Sequence, residues 1–187
     1  MQDLSNINPL IFDIANYDSE AAYKKLFLIL FPSVKRFVRC LVKSSPIAEE
    51  LAADVMITLW RNRAELPAVR NIMVYSFVIA KNLSLNFLKK NSNSRIVSLD
   101  DVDITLEADN TTPEQILISD ELKGRLNQSI DALPPRCKMI FKLIREDGLS
   151  YKEVAEILDI SVKTVDAQLV IAVKRLSEGV KKEYNLS

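Results

Sequence analysis

The sequence predicts an all-α protein: two small helical domains, a three-helix N-terminal bundle and a C-terminal helix-turn-helix domain, joined by a flexible acidic linker. Three observations predict it. Helix formers dominate, only 3 of 187 residues are Gly, and β-branched runs rarely keep the period-two alternation of a strand. Apolar residues recur at helical spacing on both sides of the chain's middle. Between these parts, Asn91–Pro113 is rich in Asn, Ser, Thr and Asp and holds too little apolar surface for a core.

The first domain is expected over residues 19–90. Ser19–Leu41 reads as one long amphipathic helix with Ala22, Leu26, Ile29, Leu30 and Val34 among its apolar positions, kinked or divided at Pro32. Ser45-Pro46 opens a second helix, Ile47 to about Arg63, because Pro suits a first helical turn. Leu51, Val55 and Leu59 form its core stripe, joined by Met56. Pro67 is expected in a loop. A third helix runs from about Ile72 to Lys90, with Val74, Phe77, Val78, Leu85 and Leu88 mostly inward. Residues 91–113 form the linker, carrying Asp100, Asp101, Asp103, Glu107 and Asp109.

The second domain is expected over residues 114–182. It opens with a helix to Leu133, breaks at Pro134-Pro135, and continues with a helix from Arg136 to Arg145. The most informative stretch follows. Ser150 and Glu153 have the spacing of a capping box, so a helix starts at Tyr151 with Val154, Ala155 and Leu158 on its apolar face. Asp159-Ile160 breaks it and Ser161 caps the next helix. Val165, Leu169, Ala172, Val173 and Leu176 are placed on the buried side of that second helix; Lys163, Thr164, Asp166, Ala167, Gln168 and Val170 face out. This is the layout of a helix-turn-helix, whose second helix reads base edges in the major groove with its N-terminal residues. Two plain amphipathic helices in a bundle are the alternative.

Composition narrows the chemistry. The chain has no His, so no His-based general base, triad or zinc site can exist. No paired acidic motif or Gly-rich phosphate loop appears, which argues against an enzyme; no metal or cofactor is expected. Cys40 and Cys137 stand alone, without a CxxC pair, and read as buried thiols in a reducing cytoplasm. Leu26–Phe31 is the most apolar run and too short to span a bilayer. No secretory signal is visible, and a cytoplasmic location is expected.

The net charge of zero hides an uneven distribution: residues 1–90 carry 12 Lys+Arg against 8 Asp+Glu, residues 91–118 carry 1 against 6, and residues 119–187 carry 12 against 11. Phosphate neutralisation supplies most non-specific DNA affinity, so this weak basicity fits a protein that binds DNA with the help of a larger partner.

The order of these parts resembles the extracytoplasmic-function (ECF) branch of the sigma-70 family of bacterial RNA polymerase sigma factors, over nearly the whole chain after residue 18. Three segments carry the resemblance. Ala48–Arg63 looks like the family's polymerase-docking helix, which implies Glu50, Asp54, Ile57, Leu59, Trp60, Arg61 and Arg63 as polymerase-binding residues. Trp60 is open to two readings, an interface anchor beside Arg61 and Arg63 or a core residue.

Tyr75–Lys90 looks like the helix for the −10 promoter element. It implies Lys81, Asn82, Asn86, Lys89 and Lys90 as DNA-binding residues, with the loop Leu66–Asn71 helping to form a pocket for a flipped base. Asn82 and Asn86 lie one turn apart on one face and offer donors and acceptors together, as unpaired base edges require. Lys89 and Lys90 would hold phosphates; for Lys90, a solvated helix end is the competing reading.

Leu133-Pro134-Pro135-Arg136 with the helix-turn-helix looks like the −35 reader. Lys163, Thr164, Ala167 and Gln168 are then base-proximal, since Gln pairs with adenine and Lys prefers guanine acceptors. Arg136, Lys138, Lys152, Lys174 and Arg175 would contact phosphates, which position without specifying. Val78, Asp166 and Val170-Ile171 depart from the family's usual residues, so promoter sequence does not carry over. The implied partners are core RNA polymerase, promoter DNA and an anti-sigma factor, often membrane-anchored, with no small-molecule substrate. A dimeric helix-turn-helix regulator and a helical adaptor without DNA affinity are the rivals.

Overall fold

The computed structural model describes residues 7–91, 129–130 and 132–184, and among these every regular element is helical. The expected linker residues 92–113, with their acidic side chains, and nearly all of the helix expected from Glu114 lie outside the described residues; residues 129–130 are helical.

A helix precedes the expected first domain. Helix α1, Ile7–Tyr17, buries Ile7, Ile11 and Ile14, whose i, i+4, i+7 spacing makes one apolar stripe. A reading that begins at Ser19 leaves it out. Asp18, at φ 50°, turns the chain, and Ser19 caps helix α2, Glu20–Val42, by accepting from the Ala22 N–H at 3.2 Å. Pro32 neither divides α2 nor ends it. The carbonyl that loses its helical donor belongs to Leu28, and both Leu28 and Pro32 are exposed, so water can satisfy it. Lys43, at φ 57°, closes α2 with its N–H on the Arg39 carbonyl at 3.0 Å.

Helix α3, Ser45–Arg61, buries Ala48, Leu51, Ala52, Val55, Met56 and Leu59. A 3-10 helix, Arg63–Ala68, then takes in Pro67, where a loop is expected, and drives Leu66 into the core. Asn71 starts helix α4, Ile72–Asn91, by accepting from the N–H groups of Met73 at 3.0 Å and Val74 at 3.3 Å. Helix α4 is buried on more than one side, through Ile72, Met73, Val74, Ser76, Phe77, Ala80 and Ser84. Its two buried serines are satisfied within the helix, Ser76 on the Met73 carbonyl at 2.8 Å and Ser84 on the Ala80 carbonyl at 2.7 Å. Val78, Leu85 and Leu88 are only partly buried.

The C-terminal half consists of α5 (Pro135–Arg145), α6 (Tyr151–Leu158) and α7 (Val162–Tyr184). The capping box is complete: Glu153 accepts from the Ser150 N–H at 2.7 Å, and the Ser150 hydroxyl accepts from the Glu153 N–H at 3.4 Å. Gly148, at φ 68°, makes the turn before it. Asp159, at φ 55°, ends α6, and the Ser161 hydroxyl caps α7 by accepting from the Thr164 N–H at 3.0 Å. Val165 and Ala172 are buried on α7 and Leu169 and Leu176 are partly so, but Val173 is 52% exposed. The reason is the neighbour: α5 and α6 cover one side of α7, too narrow for an adjacent pair such as Ala172 and Val173 to share.

The halves are not separated in this structure. Helix α6 packs against α4, and one apolar core runs from α1–α4 through Met139, Ile140, Leu143, Leu149, Val154 and Ile157. A small satellite cluster, Leu133, Cys137 and Ala172, lies between α5 and α7.

Candidate nucleic-acid and polymerase interfaces

The outer face of α3 is a polar stripe with one apolar member. Glu50, Asp54, Ile57 and Arg61 are all exposed at i, i+4, i+7 and i+11, which places them on one line along the helix. Ile57 keeps 46% of its surface in water beside two carboxylates. Leu59 belongs to the opposite side. It is fully buried and supports the stripe from within, so its expected contact with polymerase is corrected to a core role.

Trp60 is neither a free anchor nor a core residue. It is half-buried, with its ring against Tyr23 at 4.9 Å and 58°, and the Arg63 guanidinium lies over the ring at 4.9 Å from its centroid. Arg63 is fixed in turn by an ion pair with Asp18 and by donating to the Trp60 carbonyl at 3.2 Å. The Tyr23 hydroxyl donates to the Met56 carbonyl at 2.6 Å, and burial pushes its pKa up to about 12. Trp60 and Arg63 therefore present one edge of a stack assembled from α2, α3, the 3-10 helix and the turn after α1. The roles of Asp18 and Tyr23 in that stack had no local sequence signal, because 45 residues separate Asp18 from Arg63.

On α4, Asn82, Asn86, Lys89 and Lys90 are exposed and Lys81 is half-buried. Asn82 and Asn86 share a face and sit about 6 Å apart along the axis, at about 1.5 Å per residue. Asn71 lies at the start of the same helix. Its Oδ1 caps α4, while its Nδ2 donates across the molecule to Glu153 at 2.6 Å. The loop expected to help shape a base pocket is thus joined to the helix-turn-helix.

On α7, Lys163 and Ala167 are exposed at its N-terminal end, with Lys174 and Arg175 exposed two turns further on. Lys152 is exposed on α6. Thr164 is half-buried, its hydroxyl bonded to that of Ser161 at 2.8 Å. Gln168 is also half-buried, and its Oε1 accepts from the Cys137 thiol at 2.8 Å. Both were expected to face out freely; the cap holds one and α5 the other. Arg136 is half-buried, and Lys138 is 2% exposed, so the phosphate contact expected of Lys138 is out of reach in this arrangement.

Two exposed polar helix faces, one bearing a pair of Asn and the other opening a helix-turn-helix, mark a helical protein of the helix-turn-helix class. The comparisons state which one. Residues 26–94 match Sigma-70 region 2, and residues 123–176 match Sigma-70, region 4. The chain is 27% identical over 172 residues to the ECF RNA polymerase sigma factor RpoE of Cereibacter sphaeroides, covering 88% of this chain and 90% of that protein. It is 32% identical over 112 residues to the ECF RNA polymerase sigma-E factor of Escherichia coli K12, covering 54% and 57%.

Among solved structures, it is similar to the sigma factor RpoE in complex with the anti-sigma factor NepR from Bartonella quintana, with a TM-score of 0.58, 22% identity, and 85% and 96% of the two chains covered. The structure of CnrH with the cytosolic domain of CnrY gives a TM-score of 0.57 at 16% identity, covering 94% and 97%. The chain belongs to the sigma-70 family, in its ECF branch, and is an alternative sigma factor for transcription initiation. No helix among the described residues is long and apolar enough to cross a membrane.

Proposed function

We propose that this sigma factor works in the cytoplasm as three parts: residues 19–90 dock on core polymerase and read the −10 element, residues 91–113 link, and residues 114–182 read the −35 element. Core polymerase is bound by the α3 stripe Glu50, Asp54, Ile57 and Arg61, flanked by the stacked Trp60 and Arg63. Asn82 and Asn86 bond the edges of bases flipped from the melted strand, with Lys81, Lys89 and Lys90 along the backbone. Opening a duplex costs a few kcal/mol per unstacked base, so this surface acts together with polymerase. Lys163 and Ala167 meet base edges at −35, beside Thr164 and Gln168, while Lys152, Lys174, Arg175 and Arg136 take phosphates. No covalent chemistry falls to the chain itself.

The observation that carries this reading is the exposure of Asn82 and Asn86 on the part matched to region 2, together with that of Lys163 and Ala167 on the part matched to region 4. A similar protein has been crystallised with an anti-sigma factor, and control of this chain by such a partner, membrane-anchored in some settings, is part of the proposal. The test is reconstitution with cognate sigma-free core polymerase and genomic promoter fragments. Discrete transcript starts that share two spaced motifs and vanish without the chain are expected. Folded protein that neither associates with core nor yields starts would sink the reading.

A further inference from the structure

Thr164, Gln168 and Ala172 stand four residues apart on α7, so they form one row along the helix. The row runs inward. Thr164 is half-buried at the N-terminal end, Gln168 is half-buried one turn on, and Ala172 is fully buried in the satellite cluster with Leu133 and Cys137. Cys137 lies in the first turn of α5 and is 2% exposed. Its thiol donates to Gln168 Oε1 at 2.8 Å, so the amide oxygen is turned into the contact between α5 and α7. Burial pushes this thiol up, against the pull of nearby Arg175. The sulfur therefore keeps its proton at neutral pH and can act as the donor.

That bond limits what Gln168 can read. A Gln side chain recognises adenine through two bonds at once, its oxygen accepting from N6 and its nitrogen donating to N7. Both ends of the planar amide must then face one base edge. Here the oxygen touches a buried sulfur instead. The end left for DNA is Nε2, which only donates. A lone donor suits guanine, which offers N7 and O6 side by side, better than adenine, which sets a donor beside its N7. Cytosine, whose N4 donates, suits it worst. We infer that Gln168 reads its −35 base through Nε2 alone, favouring guanine over adenine, and that Cys137 is the positioning residue that sets this choice. This rests on the −35 role proposed above for α7, and it replaces the adenine pairing expected from the sequence. The hold of Cys137 on Gln168 has no local sequence signal, because 31 residues separate the two.

The experiment uses the full chain with cognate core polymerase and a promoter library whose −35 element is randomised upstream of the −10 motif found by reconstitution. Each template carries a transcribed barcode, so transcript counts give the base preference at every −35 position. Gln168→Ala marks the position that Gln168 reads, as the one where preference flattens. With the native chain, guanine should exceed adenine there. Cys137→Ala leaves Oε1 without its donor, and an unpaired buried acceptor is costly, so the amide turns outward. The ratio of adenine to guanine at that position should then rise about three- to tenfold. Cys137→Val, which fills the space without donating, should do the same. Cys137→Ser keeps a donor and should hold the native ratio. Far-UV circular dichroism shows which variants stay folded.

A native preference for adenine or cytosine at the marked position overturns the inference, since it requires the amide oxygen to face the base. An unchanged ratio in folded Cys137→Ala or Cys137→Val overturns it as well. So does a loss of equal size at all −35 positions, which is a packing defect, or a Ser variant that behaves like the Ala variant. If Gln168→Ala flattens no position while Lys163→Ala flattens one, Gln168 reads no base and the inference falls, with the proposed −35 role of α7 intact. If neither variant changes any position, that role falls too.

Discussion

Glu153 allows a stability effect to be worked out atom by atom. Replacing it with Ala removes the acceptor of the Ser150 N–H and hydroxyl and of Asn71 Nδ2, three contacts of 2.6 to 2.7 Å. Half of the capping box survives, because the Ser150 hydroxyl still accepts from the backbone N–H of residue 153. The side chain is half-buried, so water replaces part of what is lost. About 1 kcal/mol for the cap and its dipole interaction, and about 1 kcal/mol for the bond to Asn71, give a cost of about 2 kcal/mol.

Glu153→Gln keeps an acceptor oxygen at a position where Gln also serves in capping boxes, and should cost about half as much. Urea unfolding followed by far-UV circular dichroism and by Trp60 fluorescence measures both variants. With a slope of about 2 kcal/mol per molar, the Ala variant's midpoint falls by about 1 M. Because one apolar core joins the halves, both probes should move together. A Glu153→Ala shift below about 0.3 M, or a Trp60 transition that stays put while the helical signal shifts, would refute the reasoning. A double-mutant cycle with Asn71→Ala should show a coupling of about 0.5–1.5 kcal/mol.

The pH dependence has a definite sign. Burial acts to raise the Glu153 pKa, but the bonds from Ser150 and Asn71 outweigh it and hold the carboxyl below its ordinary 4.5. Its stabilisation is therefore present above pH 4.5 and lost as the pH falls through the lower folded value, where native protein and Glu153→Gln should converge.

Three further outcomes are expected. Asn86→Ala should leave the unfolding free energy within about 0.5 kcal/mol of native, since the side chain is exposed, while open-complex formation falls about 5- to 100-fold and core binding persists; permanganate footprinting and a core pull-down separate the two. At −35, Lys163→Ala should weaken initiation by about 1–3 kcal/mol, and Gln168→Ala by less, because Gln168 already accepts from the Cys137 thiol; run-off transcription ranks them. In alkali, the Cys40 thiol titrates near 11 when folded against 9.0 ordinarily, so stability present below pH 9 is lost as pH rises through that window. Unfolding free energies from urea titrations at pH 8 and about pH 10.5 should therefore differ by about 2 kcal/mol more in native protein than in Cys40→Ala.

The sequence by itself determined the helical class, the capping box at Ser150 and Glu153, the cap at Ser161, and the exposed pair Asn82 and Asn86. Each of these is a local matter of spacing, in which residues three or four apart share a face or bond their own turn. It also carried the resemblance that named the family. Tertiary structure alone decided what each face meets. Ser76 and Ser84 look polar in sequence, yet they are buried because α4 contacts α2, α3 and α6, and because their hydroxyls find carbonyls within their own helix. Gln168 stands at a helical position that sequence periodicity gave to solvent and Lys138 at one that the resemblance gave to phosphate contact, but Lys138 is buried and Gln168 is bonded to α5. The bonds Arg36–Asp147 and Asn71–Glu153 bridge 111 and 82 residues of chain, a separation across which no spacing rule operates. Those contacts form where apolar residues of α5 and α6 join the core built by α1–α4, which brings the two halves of the protein together.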